Sequence, residues 1–363
     1  MLLIIDFPAV ANDTTATVTP SGIEYTTNPN VSIDEEILTI SEDKIEVLYR
    51  FTNHSDKDLL LDVAFPLPPA PFDDDSSSLR VFPIWDESYL SYIFLDHNPL
   101  IKIPNTEVSN MNLFNLMQKG KAPFINFERK VNGESYGFNY RITAKTREGK
   151  DITEMLTNNN IPLSATFLAG FMEEGKLAQD KRLKDKLEKM QLLDAKGLPI
   201  WRNQTTYFWQ QNFPAKKTIH VSHTYSPHPG QFFLILPKKG QSAQDIKFEH
   251  RDLEDKKLSN YCQSDTLKQF LDEEIKHSLL QNIQDEPKYL RVLEIDYILT
   301  TANNWKGPIK KFTLNIIPPA NAKLAHNCEV QLQKQEEKYV YTKHNFTPSQ
   351  DLKILFVLPK SLN

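Results

Sequence analysis

The sequence predicts a mainly β protein, made of β-sandwich-like subdomains with short helical insertions. Three observations carry that expectation. Segments of strand length alternate apolar and polar residues: in Lys44–Phe51, Ile45, Val47, Tyr49 and Phe51 interleave with Lys44, Glu46 and Arg50, and only Leu48 departs. Asn132-Gly133 stands between two strand-like runs. A type I′ hairpin turn needs positive φ at both central positions, which this pair supplies with little strain. Finally, the 363 residues include 23 prolines and only 11 glycines, a balance that suits short strands separated by rigid corners.

A chain this long can bury one large core or two medium ones. Its 40% apolar and 25% charged residues are ordinary for a soluble globular protein. The net charge of −5 is small, and no basic stripe marks a nucleic-acid partner. No run approaches the roughly 18 apolar residues of a membrane-spanning helix.

Met1–Ile5 is apolar, and Ala9-Val10-Ala11 ahead of Asn12 has small residues where a signal peptidase inspects them. Residues 1–11 therefore read as the remnant of an export signal, with Asn12 starting the mature chain. The segment lacks a basic n-region and Asp6 interrupts it. A buried N-terminal strand is the competing reading, and a start site further upstream would explain the shortness.

Strands follow at Glu35–Ser41, Lys44–Thr52 and Leu59–Pro66, separated by Ser41-Glu42-Asp43 and Asn53-His54-Ser55-Asp56. The next segment, 69–123, opens with prolines and Asp73-Asp74-Asp75, then scatters aromatics (Phe82, Trp85, Tyr89, Tyr92, Phe94) without periodicity. It reads as an insertion. Irregular aromatic-rich insertions often carry binding, and the alternative is a proline-braced surface lobe with its own small core.

The strand pattern resumes at Phe124–Val131. Gly149–Leu156 then reads as a helix start, with Asp151 as N-cap and Glu154 three residues on. A second helix is expected over Lys176–Leu193, with Leu183, Leu187 and Met190 as a narrow apolar stripe. Its mixed charges read as a solvated face rather than an anion site.

Thr205–Pro214 and His220–Pro227 read as paired strands. His220, His223 and His228 raise a metal hypothesis, since imidazole is the commonest ligand. Residues three apart on a strand face opposite sides, so His220 and His223 cannot converge without a bulge. Ser264 can cap a helix to about Leu280, with Leu267, Phe270, Leu271 and Ile275 inward. The remaining strands are expected at Leu290–Thr300, Lys311–Ile317, Asn327–Gln333, Tyr339–Asn345 and Leu352–Leu358.

No phosphate loop, nucleophile elbow, H-E-x-x-H pair or EF-hand spacing occurs. Asp73-Asp74-Asp75 lacks the glycine and terminal glutamate of a calcium loop. Trp201, Tyr207, Phe208 and Trp209 could stack sugars or bases, but strand aromatics usually fill cores. Thus no catalytic, cofactor-binding or metal-ligating residue is singled out. Cys262 and Cys328 fit no metal spacing. In an oxidising compartment they read as one disulfide closing a long loop, and otherwise as two unrelated buried thiols.

Several blocks carry a resemblance to a known family. Glu294-Ile-Asp-Tyr-Ile-Leu-Thr-Thr-Ala-Asn-Asn-Trp-Lys-Gly-Pro-Ile309 joins an apolar run to a tryptophan turn. Phe65-Pro66-Leu67-Pro68 follows the Asn53–Asp56 turn and a strand, and Gly149–Leu156, Thr205–Gly230 and Asn345–Leu352 come in the same order. This wording resembles the DUF4424 family, bacterial exported proteins without an assigned function. The resemblance covers 35–66, 124–160, 204–230 and 258–358, and implies a periplasmic or secreted location but no reaction. It implies that Cys262 and Cys328 stand where family members carry theirs, that His223 and Tyr225 are structural residues of their strand, and that 69–123 is longer here than in relatives.

The expected organisation is an N-terminal β-rich subdomain over 12–237, with insertion 69–123 and helical segment 151–193. A C-terminal one follows over 251–363 with helix 264–280. Two functions compete. The first is a non-catalytic periplasmic or cell-surface module that binds an envelope protein or glycan, with Trp85, Tyr89, Tyr92 and Trp305 as candidate surface. The alternative is a cell-envelope hydrolase whose site is assembled from distant residues.

Overall fold

A computed structural model describes residues 12–19, 23–68, 127–146, 148–163, 165, 168, 176–227, 229–236, 265–280, 288–327 and 329–359. The first strands are β1 (Thr14–Val18), β2 (Ile23–Thr26), β3 (Val31–Ile40), β4 (Ile45–Asn53) and β5 (Leu59–Pro66). Next come β6 (Glu128–Val131), β7 (Glu134–Ser135) and β8 (Asn139–Thr146), then helices α1 (Thr153–Asn158), α2 (Lys176–Gln179) and α3 (Lys181–Lys189). Strands β9 (Trp201–Phe213), β10 (Thr218–Tyr225) and β11 (Gly230–Leu236) precede helix α4 (Asp265–Leu280). The chain continues with β12 (Lys288–Tyr297), a 3-10 turn (Thr300–Asn304), β13 (Ile309–Ile316), β14 (Leu324–Asn327), β15 (Gln333–Gln335), β16 (Lys338–Phe346) and β17 (Leu352–Pro359). The protein is mainly β, as expected.

The strands form three sheets, ordered β2-β1-β5-β9-β8, β15-β16-β13-β3-β4-β10-β6-β7 and β11-β12-β17-β14. The pairing of β13 with β3 is parallel. A division of the chain at 238–250 does not divide the sheets. β13 and β16 lie in the eight-stranded sheet with β3, β4 and β10, while β11 pairs with β12.

One face of the eight-stranded sheet covers both smaller sheets. Ile45, Val47, Tyr49 and Phe51 of β4 share a core with Val63 and Phe65 of β5, Trp209 and Phe213 of β9, and Ile295, Tyr297, Ile354 and Phe356 of β12 and β17. Burying each such side chain is worth about 1.5–3 kcal/mol before the cost of ordering it. β4 alternates as its sequence demands, and Leu48, the residue that broke the polar pattern, is 41% exposed on the wet face.

The four-stranded sheet is covered on both sides. Ile354, Phe356 and Leu358 face the large core, whereas Leu355 and Val357 join Leu267 of α4 in a second one. This explains why β17 reads as a nearly unbroken apolar run rather than an alternating one. A third core gathers Ala144, Leu156, Leu187 and Trp201 beneath α1 and α3, closed by a hydrogen bond from Trp201 Nε1 to the Leu163 carbonyl at 2.8 Å.

Several local expectations change. Asn132 (φ 50°) and Gly133 (φ 88°) form the expected hairpin turn between β6 and β7. Asp151 is not the N-cap of α1. It makes a bridge with Lys145 and its carboxylate accepts from Thr153 N at 2.8 Å, so Ile152 caps the helix without a side-chain bond. The helix expected over 176–193 is interrupted at Asp180, whose carboxylate accepts from Leu183 N at 3.1 Å and starts α3 afresh. Leu187 is buried, and Leu183 and Met190 pack beside it. The strand expected over 327–333 is not continuous: Asn327 ends β14, Gln333 opens β15, and between them the Asn327 side chain accepts from Glu329 N and Val330 N. Ser264 lies outside the described residues.

Candidate functional site

The polar residues most deeply enclosed by this frame come together where β3, β4, β10 and β12 meet the residues ahead of β1. In β3 the register slips between Ile33 and Glu35, so Asp34 is an extra residue. The bulge lets Ile33 and Glu36, three apart, both point inward, and Glu36 returns in phase with Leu38 and Ile40. A carboxylate is thereby wholly enclosed, opposite Tyr49 across the ladder.

Asn12 bridges this pair. Its Nδ2 donates to both Glu36 oxygens at 3.1 Å, and its Oδ1 accepts from the Tyr49 hydroxyl and from Asp13 N. Those two donors fix which way the amide points. Its backbone nitrogen donates to Thr301 Oγ1 at 2.8 Å, and that hydroxyl donates to the Asn12 carbonyl at 3.0 Å. The Tyr49 and Tyr297 hydroxyls are 3.5 Å apart.

Asp13 anchors the other side. Its carboxylate accepts from His223 Nε2, at 2.9 Å to one oxygen and 3.1 Å to the other, and its backbone carbonyl accepts from Trp305 Nε1 at 2.6 Å. An ionised carboxylate only accepts, so the proton sits on Nε2. Rings of Phe65, Phe127, Trp209 and Tyr49 surround the imidazole at 5.1–5.8 Å. Beside them the Arg129 guanidinium lies over Trp209 at 4.7 Å and donates to Gln211 Oε1 at 2.5 Å. Among the described residues, His223 Nδ1 and Arg129 Nε have no partner.

Burial pushes the Glu36 carboxyl up to about 8; the Asn12 amide pulls the other way, and the negative charge of Asp13 adds to the rise. Burial also raises the Tyr49 and Tyr297 phenols well above their ordinary value, so both stay neutral. Asp351 supports the 3-10 turn that carries Thr301. It accepts from Leu299 N, Thr300 N and Thr300 Oγ1 at 3.0, 3.0 and 2.8 Å, and burial raises its carboxyl against the pull of those bonds. Chemically, the cluster holds most of its polar groups in bonds to one another and clamps residues 12–13 to both halves of the chain. Such a network specifies one arrangement of the core, with His223 Nδ1 and Arg129 Nε left over.

Of the surface and disulfide residues singled out from the sequence, Trp305 alone lies among the described residues. Trp305 is only 4% exposed, packed on Phe51 and Phe213 at 4.8 and 5.7 Å, so its indole is part of the clamp and is not presented at the surface. Trp85, Tyr89, Tyr92, His228, Cys262 and Cys328 lie outside the described residues. His220 and His223 do face opposite ways, one exposed and one buried. Asn12, Asp13, Glu36, Tyr49 and Tyr297 were not foreseen as a group. Their one available signal was a glutamate on the inward phase of an apolar strand. Among the described residues, no three His, Cys, Asp or Glu side chains gather as a metal would need, and no helix is long and apolar enough to cross a membrane.

Among curated proteins, none matches the sequence. Of the solved structures it is similar to, a proposed nutrient-binding protein of Legionella pneumophila shares 12% identity with a TM-score of 0.39, covering 96% of this chain and 70% of that one. An M1 zinc metallopeptidase of Deinococcus radiodurans shares 8% identity with a TM-score of 0.27, and the match spans 92% of this chain but only 44% of the peptidase. Likenesses this distant carry no argument about function. The sequence profile of one family, described as a domain of unknown function, matches residues 11–93 and 97–355, a range that takes in most of 69–123. The chain belongs to the DUF4424 family.

Proposed function

We propose that the chain is an exported, non-catalytic binding module that works in the periplasm or at the cell surface on an envelope protein or glycan. The segment 69–123, with Trp85, Tyr89 and Tyr92, is the proposed contact surface. One observation carries this reading: both stems of the segment close on the same residue. Phe65 pairs with Tyr207 in the ladder, and Phe127 stacks on the Tyr207 ring at 4.3 Å and 8°. Leu67 N also donates to the Thr205 carbonyl at 2.8 Å. A long excursion that leaves and returns at one point of a rigid sheet is how scaffolds present binding segments.

Export is supported by Ala9-Val10-Ala11 and by the enclosure of the residues that follow it. In that compartment Cys262 and Cys328 form the proposed disulfide. What supports it lies in the described elements nearest to them along the chain: Leu267 of α4 packs in the same core as Leu324 of β14, and Lys323 pairs with Glu274 at 2.6 Å. Intact mass before and after reduction tests the bond.

The binding reading is tested by replacing residues 70–125 with a short Gly-Ser linker. The excised protein should keep its circular dichroism and cooperative melting, yet lose retention on envelope fractions and photocrosslinks to envelope components. Unchanged retention would overturn the assignment. Turnover of an envelope polymer by the full chain would favour the hydrolase alternative.

A further inference from the structure

The buried cluster has a charge imbalance. Asp13 is met by His223, but Glu36, wholly enclosed, bonds to the neutral Asn12 amide, and the charge acting on it is that of Asp13, which has the same sign. A buried carboxylate without a counter-charge either takes up a proton or requires a cation. The residue that touches both Glu36 oxygens also carries the backbone nitrogen that follows the Ala9-Val10-Ala11 pattern. That nitrogen is enclosed too and already donates to Thr301 Oγ1 at 2.8 Å.

We propose that Asn12 is the mature N-terminus and that its α-ammonium, freed by cleavage after Ala11, is the counter-charge of Glu36. The inference rests on the export reading above. A leader peptidase adds water across the Ala11–Asn12 amide: hydroxide goes to the Ala11 carbonyl carbon, the C–N bond breaks, and the nitrogen takes a proton. At neutral pH the new acid on Ala11 then transfers its proton to the Asn12 amine. No oxidant or cofactor is needed. The ammonium keeps its bond to Thr301 and places a positive charge on the residue that holds Glu36. The titratable groups bonded to residues 12–13, directly or through one another, are Glu36, Tyr49, Tyr297 and His223, with the charge of Arg129 acting on Asp13. With the ammonium in place Glu36, like Asp13, has a partner on the residue that bonds it. Processing thus completes the core, and the unprocessed chain is the less stable form.

The test compares the chain starting at Asn12, released from a fusion that leaves nothing upstream, with the same chain acetylated at its α-amine. The free-amine form should melt at least about 2 °C higher, and the difference should vanish when both carry Glu36→Gln. In the native protein the α-amine should also be acylated at least roughly tenfold more slowly than in urea, because the clamp must open first. This second readout needs no substitution. Equal melting of the two forms, a difference that survives Glu36→Gln, or unprotected acylation each overturns the proposal. Protein recovered from envelope fractions supplies the separate control. If its mass does not begin at Asn12, the export reading falls and this inference with it. If it does begin there and acetylation changes nothing, only the counter-charge role falls.

Discussion

Asp13 and His223, 210 positions apart, are joined through Nε2 to both carboxylate oxygens at 2.9 and 3.1 Å, with both side chains closed to solvent. The bond ties the lead-in to β1, on the five-stranded sheet, to β10 of the eight-stranded sheet. It acts across the sandwich, where a ladder hydrogen bond cannot.

Removing one partner strands the other in an apolar site. Asp13→Ala should therefore cost about 3–5 kcal/mol, a large part of the stability of an ordinary domain. Urea denaturation should show a lower midpoint with an unchanged slope. The double variant Asp13→Ala/His223→Ala should cost clearly less than the sum of the two single ones, because the residues share one interaction. Additive losses would mean that the pair is not coupled.

Trp305→Phe keeps a ring against Phe51 and Phe213 but removes the donor to the Asp13 carbonyl at 2.6 Å. A buried carbonyl left without its partner costs about 1–3 kcal/mol. Thermal melting should fall accordingly, and more than for Phe51→Leu-type trimming of comparable volume would predict. A neutral result would show that the indole contributes through packing alone.

Much of the frame was legible locally, and the cluster was not. β4 could be read because each inward residue sits two positions from the next, and the Asn132-Gly133 turn because positive φ there selects those residue types. β17 was located but its double burial was not, since α4 comes from far along the chain to cover Leu355 and Val357. Asp151 misled because a side chain that suits an N-cap also suits the turn just before one. The polar cluster draws Asn12, Glu36, Tyr49, His223, Tyr297 and Thr301 from separate elements, and no spacing in one sequence reports such a meeting. Trp305 looked like a surface turn for the same reason: its partner, the Asp13 carbonyl, lies 292 positions away.

The bulge in β3 makes a third structural prediction. Asp34 is the extra residue, and removing it leaves Ile33 opposite Phe51, Glu35 opposite Arg50 and Glu36 opposite Tyr49, the pairs already present. Deletion of Asp34 should thus preserve the inward phase of Glu36. The loss would be confined to bonds from Ser32, Thr52 and Lys310, at 2.8, 2.6 and 2.5 Å. For partly exposed polar contacts this amounts to about 1–2 kcal/mol. Inserting a residue at the same place shifts Glu36 by one position and should unfold the protein, because a one-residue slip turns the whole inward face outward. Comparable stability for the deletion and the insertion would contradict the register.

Glu36 also sets a pH dependence whose sign is specific to a raised acid. Its carboxyl stands at about 8 in the folded chain that continues upstream of Asn12, against an ordinary 4.5. Between those values the folded state keeps a proton that the unfolded state has lost, so stability falls as pH rises through the window. The slope approaches about 1.4 kcal/mol per pH unit. Below 4.5 both states are protonated and the slope vanishes. Asp351, raised by burial as well, tilts in the same direction, so the informative comparison is with Glu36→Gln rather than with a flat line. The amide cannot ionise, and the difference between the two curves isolates Glu36. Urea midpoints measured from pH 5 to 8 should show the wild type losing stability relative to Glu36→Gln as pH rises. With a free α-ammonium at Asn12 the carboxylate has its counter-charge, and the same comparison should flatten. A wild-type curve that rises with pH relative to Glu36→Gln would mean that Glu36 is ionised in the folded state even without that ammonium.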